Sequence, residues 1–128
     1  MRSRDAALLT LRLLALAAGL LTTSLASAQS PAEFFKGRSV DLYIGYSVGG
    51  AYDLYARTLA RHLGKHVPGN PTIVPRNMEG AGSLRLANWL YNVAAKDGTV
   101  LATIGRGTAF DPILGSKAAQ FDGTKFTW

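Results

Sequence analysis

Three short β-rich runs in this chain each empty into a glycine-bearing loop, and two helix-period patterns separate them. Residues 40–44 (Val-Asp-Leu-Tyr-Ile) end at Gly45, residues 72–75 (Thr-Ile-Val-Pro) lead into the loop at 77–83, and residues 100–104 (Val-Leu-Ala-Thr-Ile) end at Gly105. Between the first two runs, Leu54, Ala56, Leu59, Ala60, Leu63 and Val67 recur at three- and four-residue spacings, which predicts a helix over about 54–66 with Asp53 as its cap. Leu86, Leu90 and Val93 predict a second helix over about 84–94, capped by Ser83, with Trp89 and Tyr91 packed or half exposed. Residues 31–35 read as a lead-in turn or helix, and residues 110–114 as a short helix stopped by Gly115. Strand, helix, strand, helix, strand is the pattern of an α/β domain with a mostly parallel sheet flanked by helices. Arg57, Arg61 and Lys65, four apart, read as a solvated helix face.

In such a sheet, ligands sit beyond the C-terminal ends of the strands. The three glycine-bearing loops are therefore expected around one crevice. The first offers Tyr46, Ser47, Gly49, Gly50, Ala51 and Asp53. Consecutive glycines before a helix can expose backbone N–H groups, and those donors, with the helix dipole, favour an anion. Ser47 adds a hydroxyl; Tyr46 and Tyr52 either wall a pocket or pack half buried. The second loop offers Asn77, Gly80, Ala81, Gly82 and Ser83, again in front of helix N–H groups. Its Glu79 either points outward or selects an amino group on the ligand. The third offers Arg106 and Thr108; Arg106 is either a paired contact to a carboxylate or a surface residue.

The N-terminus reads as a processing signal. Arg2 and Arg4 precede a nearly continuous apolar run from Ala6 to Leu21, broken in charge by Arg12, and Ala26-Ser27-Ala28 supplies a small-x-small cleavage pattern. Residues 1–28 are expected to be a secretory signal peptide cut before Gln29, leaving no stable membrane insertion. The alternative, a retained anchor, is disfavoured by Arg12 and by Thr22-Thr23-Ser24, which end the run short of a comfortable span. The expected location is the periplasm.

Composition narrows the chemistry. Of 14 Lys and Arg and 8 Asp and Glu, Arg2, Arg4, Arg12 and Asp5 precede Gln29, leaving 11 basic and 7 acidic residues. That excess can steer an organic anion, but it is weak support for nucleic-acid binding. With no Cys, disulfides and thiolate metal sites are excluded. The G-x-G-x-x-G fingerprint is missing from the first loop and no Walker A sequence occurs, so no cofactor is expected. His62 and His66 are four apart without a carboxylate or Cys companion, which suits a helix C-terminus better than a metal. Gly45-Tyr46-Ser47-Val48-Gly49 matches the G-x-S-x-G elbow of serine hydrolases. The alternative function is therefore a fragment of an exported serine hydrolase using Ser47, although neither His is placed to return over that serine. A third possibility is a small exported structural or sensory domain without a ligand.

The loops together resemble a known pattern. Residues 45–57, Gly-Tyr-Ser-Val-Gly-Gly-Ala-Tyr-Asp-Leu-Tyr-Ala-Arg, are followed by Asn77-Met78-Glu79-Gly80-Ala81-Gly82-Ser83 and by Lys96-Asp97-Gly98-Thr99. These are similar, in order and spacing, to signatures of the periplasmic solute-binding proteins of tripartite tricarboxylate transporters, the Bug or TctC-like family, over about residues 35–128. Val48, Ala51 and Glu79 depart from the family's usual Pro or small residue, third glycine and Pro. The resemblance implies a non-enzymatic, two-lobed periplasmic-binding-protein-like (type II) fold that traps a small organic carboxylate between its lobes and delivers it to membrane permease subunits. Residues 29–128 would be the N-terminal part of the first lobe. Three strands make a narrow sheet with open edges, and the family's members are more than twice this length. The chain is thus expected to be a truncated fragment, or a single domain pairing with another chain, and to bind weakly alone.

Overall fold

The structure, a computed structural model, describes residues 29–128. The expected signal segment and its cleavage point after Ala28 lie outside the described residues. The elements are α1 (Pro31–Phe35), β1 (Ser39–Ile44), α2 (Ala51–Leu63), β2 (Thr72–Asn77), α3 (Leu84–Asn92) and β3 (Val100–Thr103). The three strands form one open, parallel sheet in the order β2-β1-β3.

β1 is central because it can be buried on both faces. Val40, Leu42 and Ile44 alternate into a core with Ala56 of α2 and Ile73 of β2, against which Phe35, Ala60 and Leu63 also pack. On the opposite face, Tyr43 meets Trp89 of α3, ring centroids 4.5 Å apart. Helices therefore flank the sheet on both sides. Pro75 stands within β2, which a central strand would not tolerate; β2 pairs only with β1, and an edge strand can spare one N–H. Asp97 folds the turn into β3, its carboxylate accepting from the Thr99 N–H (3.0 Å) and hydroxyl (2.6 Å).

Several boundaries differ from the sequence expectation. α2 begins at Ala51 with Gly50 in the cap position, so Asp53 lies inside the first turn rather than before it. Its last turn, Gly64–His66, tightens to a 3-10 geometry. β2 runs two residues further than expected and takes in Asn77. The short helix expected at 110–114 is instead a single 3-10 turn at Thr108–Phe110. The apolar stripes are also narrower than their periodicity implies. Leu54, Leu59 and Val93 are 61%, 49% and 68% exposed, because a three-stranded sheet covers only the face of α2 that carries Ala56, Ala60 and Leu63.

The segment after β3 folds back along the sheet. Phe126 packs against Tyr91, Phe121 and Trp128, and Asn88 and Asn92 of α3 hold the carbonyls of Ala118 and Gln120 at 2.9 Å. Phe126 and Trp128 join Leu42, Leu59, Leu90 and β3 around a mainly apolar hollow of about 260 Å³. No helix among the described residues is long and apolar enough to cross a membrane.

Candidate ligand cleft at the strand ends

From β1 the chain crosses to β2 on one side, then passes back over β1 to reach β3 on the other. The loops leaving β1 and β3 must therefore diverge, and a crevice opens where the order reverses. A cleft of about 480 Å³ lies there, lined by Tyr46 and Tyr52, by Ala81 and Gly82, and by Gly105, Arg106, Gly107, Thr108 and Asp111. All three expected loops contribute.

The loops are held in register by close backbone approach. A methyl group on Gly45 would overlap the Ser83 Cβ and lie 3.0 Å from its Cα; one on Gly105 would run into the Tyr46 hydroxyl and lie 3.3 Å from the Gly82 carbonyl oxygen. Only glycine permits both crossings. The second loop is also wound tightly. Residues Gly80, Ala81, Gly82 and Ser83 have φ of 142°, 46°, 61° and 75° in succession. Two of them are not glycine, so this loop stores backbone strain of the kind found where structure is built around a ligand or a contact.

Ser83 shows what the strain achieves. It occupies the cap position of α3 but makes no capping bond. Its side chain turns inward, fully buried, and accepts from the Gly105 N–H at 2.6 Å. Thr108 donates to the Gly82 carbonyl at 3.3 Å. With that proton committed, Ser83 is the donor across its 3.0 Å contact with Thr108. The hydroxyl pair thus clamps the third loop to the second. Ser83→Ala is expected to orphan the buried Gly105 amide and to cost about 1–3 kcal/mol, measurable as a lower urea midpoint with unchanged m-value.

A second network fixes the first loop. The Asp53 carboxylate, 3% exposed, accepts from the Gly49 N–H at 2.9 Å, from Arg57 Nε at 2.9 Å and from Asn77 Nδ2 at 2.8 Å. Asn77 also donates to the Tyr46 carbonyl (2.9 Å) and accepts from Arg57 Nη2 (2.6 Å). The bond from Arg57, then those from Gly49 and Asn77, hold the Asp53 carboxyl well below the usual carboxylate range. Arg57 is therefore one half of a partly buried ion pair rather than only a member of a solvated row.

The expected site residues consequently fall into two groups. Tyr46, Ala81, Gly82, Arg106 and Thr108 line the cleft. Asp53, Asn77 and Ser83 do not; their polar atoms are engaged within the chain. The Gly49 amide is used by Asp53 and the Gly50 amide by the Ser47 carbonyl at 3.4 Å, so the paired glycines shape the loop more than they supply free donors. Gly50 and Ala51 begin α2, and Gly80 opens the second loop; neither they nor Gly49 line the cleft. Ser47 donates its hydroxyl to the Glu79 carboxylate. No histidine approaches it: His62 lies in the last turn of α2, about 16 Å along the helix from its start. Tyr46 and Tyr52 stack face to face, centroids 4.2 Å apart and planes within 8°. Asp111, Gly105 and Gly107 belong to the lining too; no local pattern singles out Asp111, which has no periodic neighbour.

No protein-family model matches the chain, and no solved structure matches it. Over 77 residues, 60% of this chain, it is 39% identical to a Cupriavidus necator protein described as "UPF0065 protein in gbd 5'region". That stretch spans 23% of the relative's length.

Proposed function

We propose that this α/β domain is the ligand-cradling part of a two-lobed, type II periplasmic-binding-protein-like protein that captures a small organic carboxylate outside the cytoplasm. In this reading it loses residues 1–28 on export to the periplasm, performs no catalysis, and hands its ligand to the membrane permease subunits of a tripartite tricarboxylate-type transporter. The three loop signatures and their order support the reading from the sequence side.

The observation that carries it is the convergence of three strand-end loops on one cleft with Arg106 on its wall. Among the described residues Arg106 enters no ion pair. Its backbone N–H approaches the Tyr52 hydroxyl at 3.5 Å, which leaves the phenol proton free to donate in the same region. Arg106 and Tyr52 both border the cleft, and a guanidinium with a free phenol proton suits a carboxylate. A single open wall leaves much of such a ligand in water, so millimolar affinity is the expectation for this chain alone.

Arg106→Gln tests this. Charge-assisted hydrogen bonds contribute about 1.5–3 kcal/mol, so affinity for glutarate, followed by NMR titration, is expected to fall about tenfold or more. Equal affinity in the variant would remove Arg106 from the site. The hydrolase alternative gains nothing from the geometry of Ser47, whose hydroxyl partner is a carboxylate.

A further inference from the structure

We infer that the cleft selects ligands bearing an amino group beside the carboxylate, amino-acid-like zwitterions in preference to plain carboxylic acids. The inference rests on the carboxylate reading above and adds the second half of the ligand.

Its basis is the charge lining the cleft. Arg106 and Asp111 both line it, yet they do not pair with each other, and among the described residues neither enters any ion pair. Glu79 and Asp53, the other acids in these loops, are engaged by Ser47 and by Gly49, Arg57 and Asn77 respectively, and neither lines the cleft. The cleft thus presents one positive and one negative side chain, both open to a ligand. A plain carboxylate bound at Arg106 would bring its negative charge towards Asp111 with nothing between to offset it, and like charges across a few ångströms repel appreciably near a protein surface. A zwitterion reverses the sign of that contact. Its carboxylate meets the guanidinium and the Tyr52 phenol, and its ammonium meets Asp111.

The aromatic wall favours the same ligand. Tyr46 and Tyr52 are stacked and both border the cleft. A ring face attracts a cation and gives nothing comparable to an anion. Stacking leaves each ring one outer face, and an ammonium held between Asp111 and such a face would gain from both.

The test is a set of NMR titrations on the intact protein with matched pairs differing only in the amino group: 2-aminobutyrate against butyrate, and glutamate against glutarate. The expected result is affinity about tenfold higher for the amino member of each pair, the size of one charge-assisted contact. In Asp111→Asn that ratio should fall to within about twofold, while Arg106→Gln should weaken both members of a pair. Butyrate and glutarate binding as tightly as their amino counterparts would overturn the inference and leave the carboxylate reading standing. An undiminished ratio in Asp111→Asn would overturn the role of Asp111. No binding of any of the four would overturn both readings together. The ratio in the unmodified protein needs no variant, so a misfolded Asp111→Asn does not shield the inference.

Discussion

Asp53→Ala should release the first loop from the second strand and be among the most damaging single substitutions in the chain. The carboxylate is the shared acceptor for Gly49, Arg57 and Asn77, and Asn77 in turn holds the Tyr46 carbonyl. Alanine leaves the partly exposed Arg57 guanidinium beside an apolar methyl, strips the Gly49 amide of its acceptor and unties Asn77 from the first turn of α2. The cost lies in the three donors that lose one shared acceptor, and with it the tie between the first loop and β2. The expected outcome is a large fall in thermal midpoint, with early loss of amide protection at Tyr46 and Gly49.

The acid dependence of this network has a definite sign. The Asp53 carboxyl sits below its ordinary value of 3.8 because the folded state donates three hydrogen bonds to the anion. A depressed folded value means that the stabilisation is complete above the ordinary value and is lost as pH falls through the folded one. The stability gap between the unmodified protein and Asp53→Asn should therefore be constant from neutral pH down to about pH 5 and shrink below about pH 4. Urea midpoints at pH 7 and pH 3 measure it. A gap undiminished at pH 3 and below would mean that the asparagine variant fails for reasons of shape rather than charge.

Gly45→Ala is the second large effect. The added methyl would overlap Ser83 Cβ and press on the Ser83 Cα and the Thr103 carbonyl oxygen, at 3.0 and 3.4 Å. These are mostly main-chain atoms, with no long flexible side chain to swing aside. Relief requires moving the second loop away from β1 or breaking the bond from the Gly45 N–H to the Thr103 carbonyl (3.0 Å). Overpacking of this kind costs about 1–3 kcal/mol and occasionally more; immobile neighbours place this position near the top, about 3 kcal/mol, or a fall on the order of 10–20 °C in a domain of this size. Because the shift opens the cleft, ligand affinity should fall with stability. A variant as stable as the original would show that the loops do not meet as closely as Ser83 and Gly45 indicate.

What could be read from the chain divides along the range of the interactions. The strand runs, the helical stripe through Ala56, Ala60 and Leu63, and the glycine exits are local patterns, and they foretold the parallel α/β sheet and the edge where its loops gather. Leu54 and Leu59 fit the same periodicity yet stay exposed, because how much of a helix is covered depends on sheet width, which no window of sequence contains. The Asp53–Arg57 spacing of four is visible, but the third member, Asn77, lies 20 residues beyond Arg57, and its loop position alone points to a ligand. Ser83 fits a cap by its place before a helical pattern. Its φ of 75° turns the hydroxyl inward instead, an outcome set by the contact with Gly105 and Thr108 rather than by its neighbours in sequence. The expected residues that line the cleft, Tyr46, Ala81, Gly82, Arg106 and Thr108, are those whose place follows from strand-end position alone.

The measurement that bears most directly on the proposed role is an amide NMR titration of the protein with 2-aminobutyrate into the millimolar range. Saturable shifts concentrated at Tyr46, Tyr52, Gly82 and Gly105 to Thr108 are the predicted result. Shifts gathered instead around Leu101 and Trp128, or no saturable shift anywhere, would contradict a binding cleft at the strand ends.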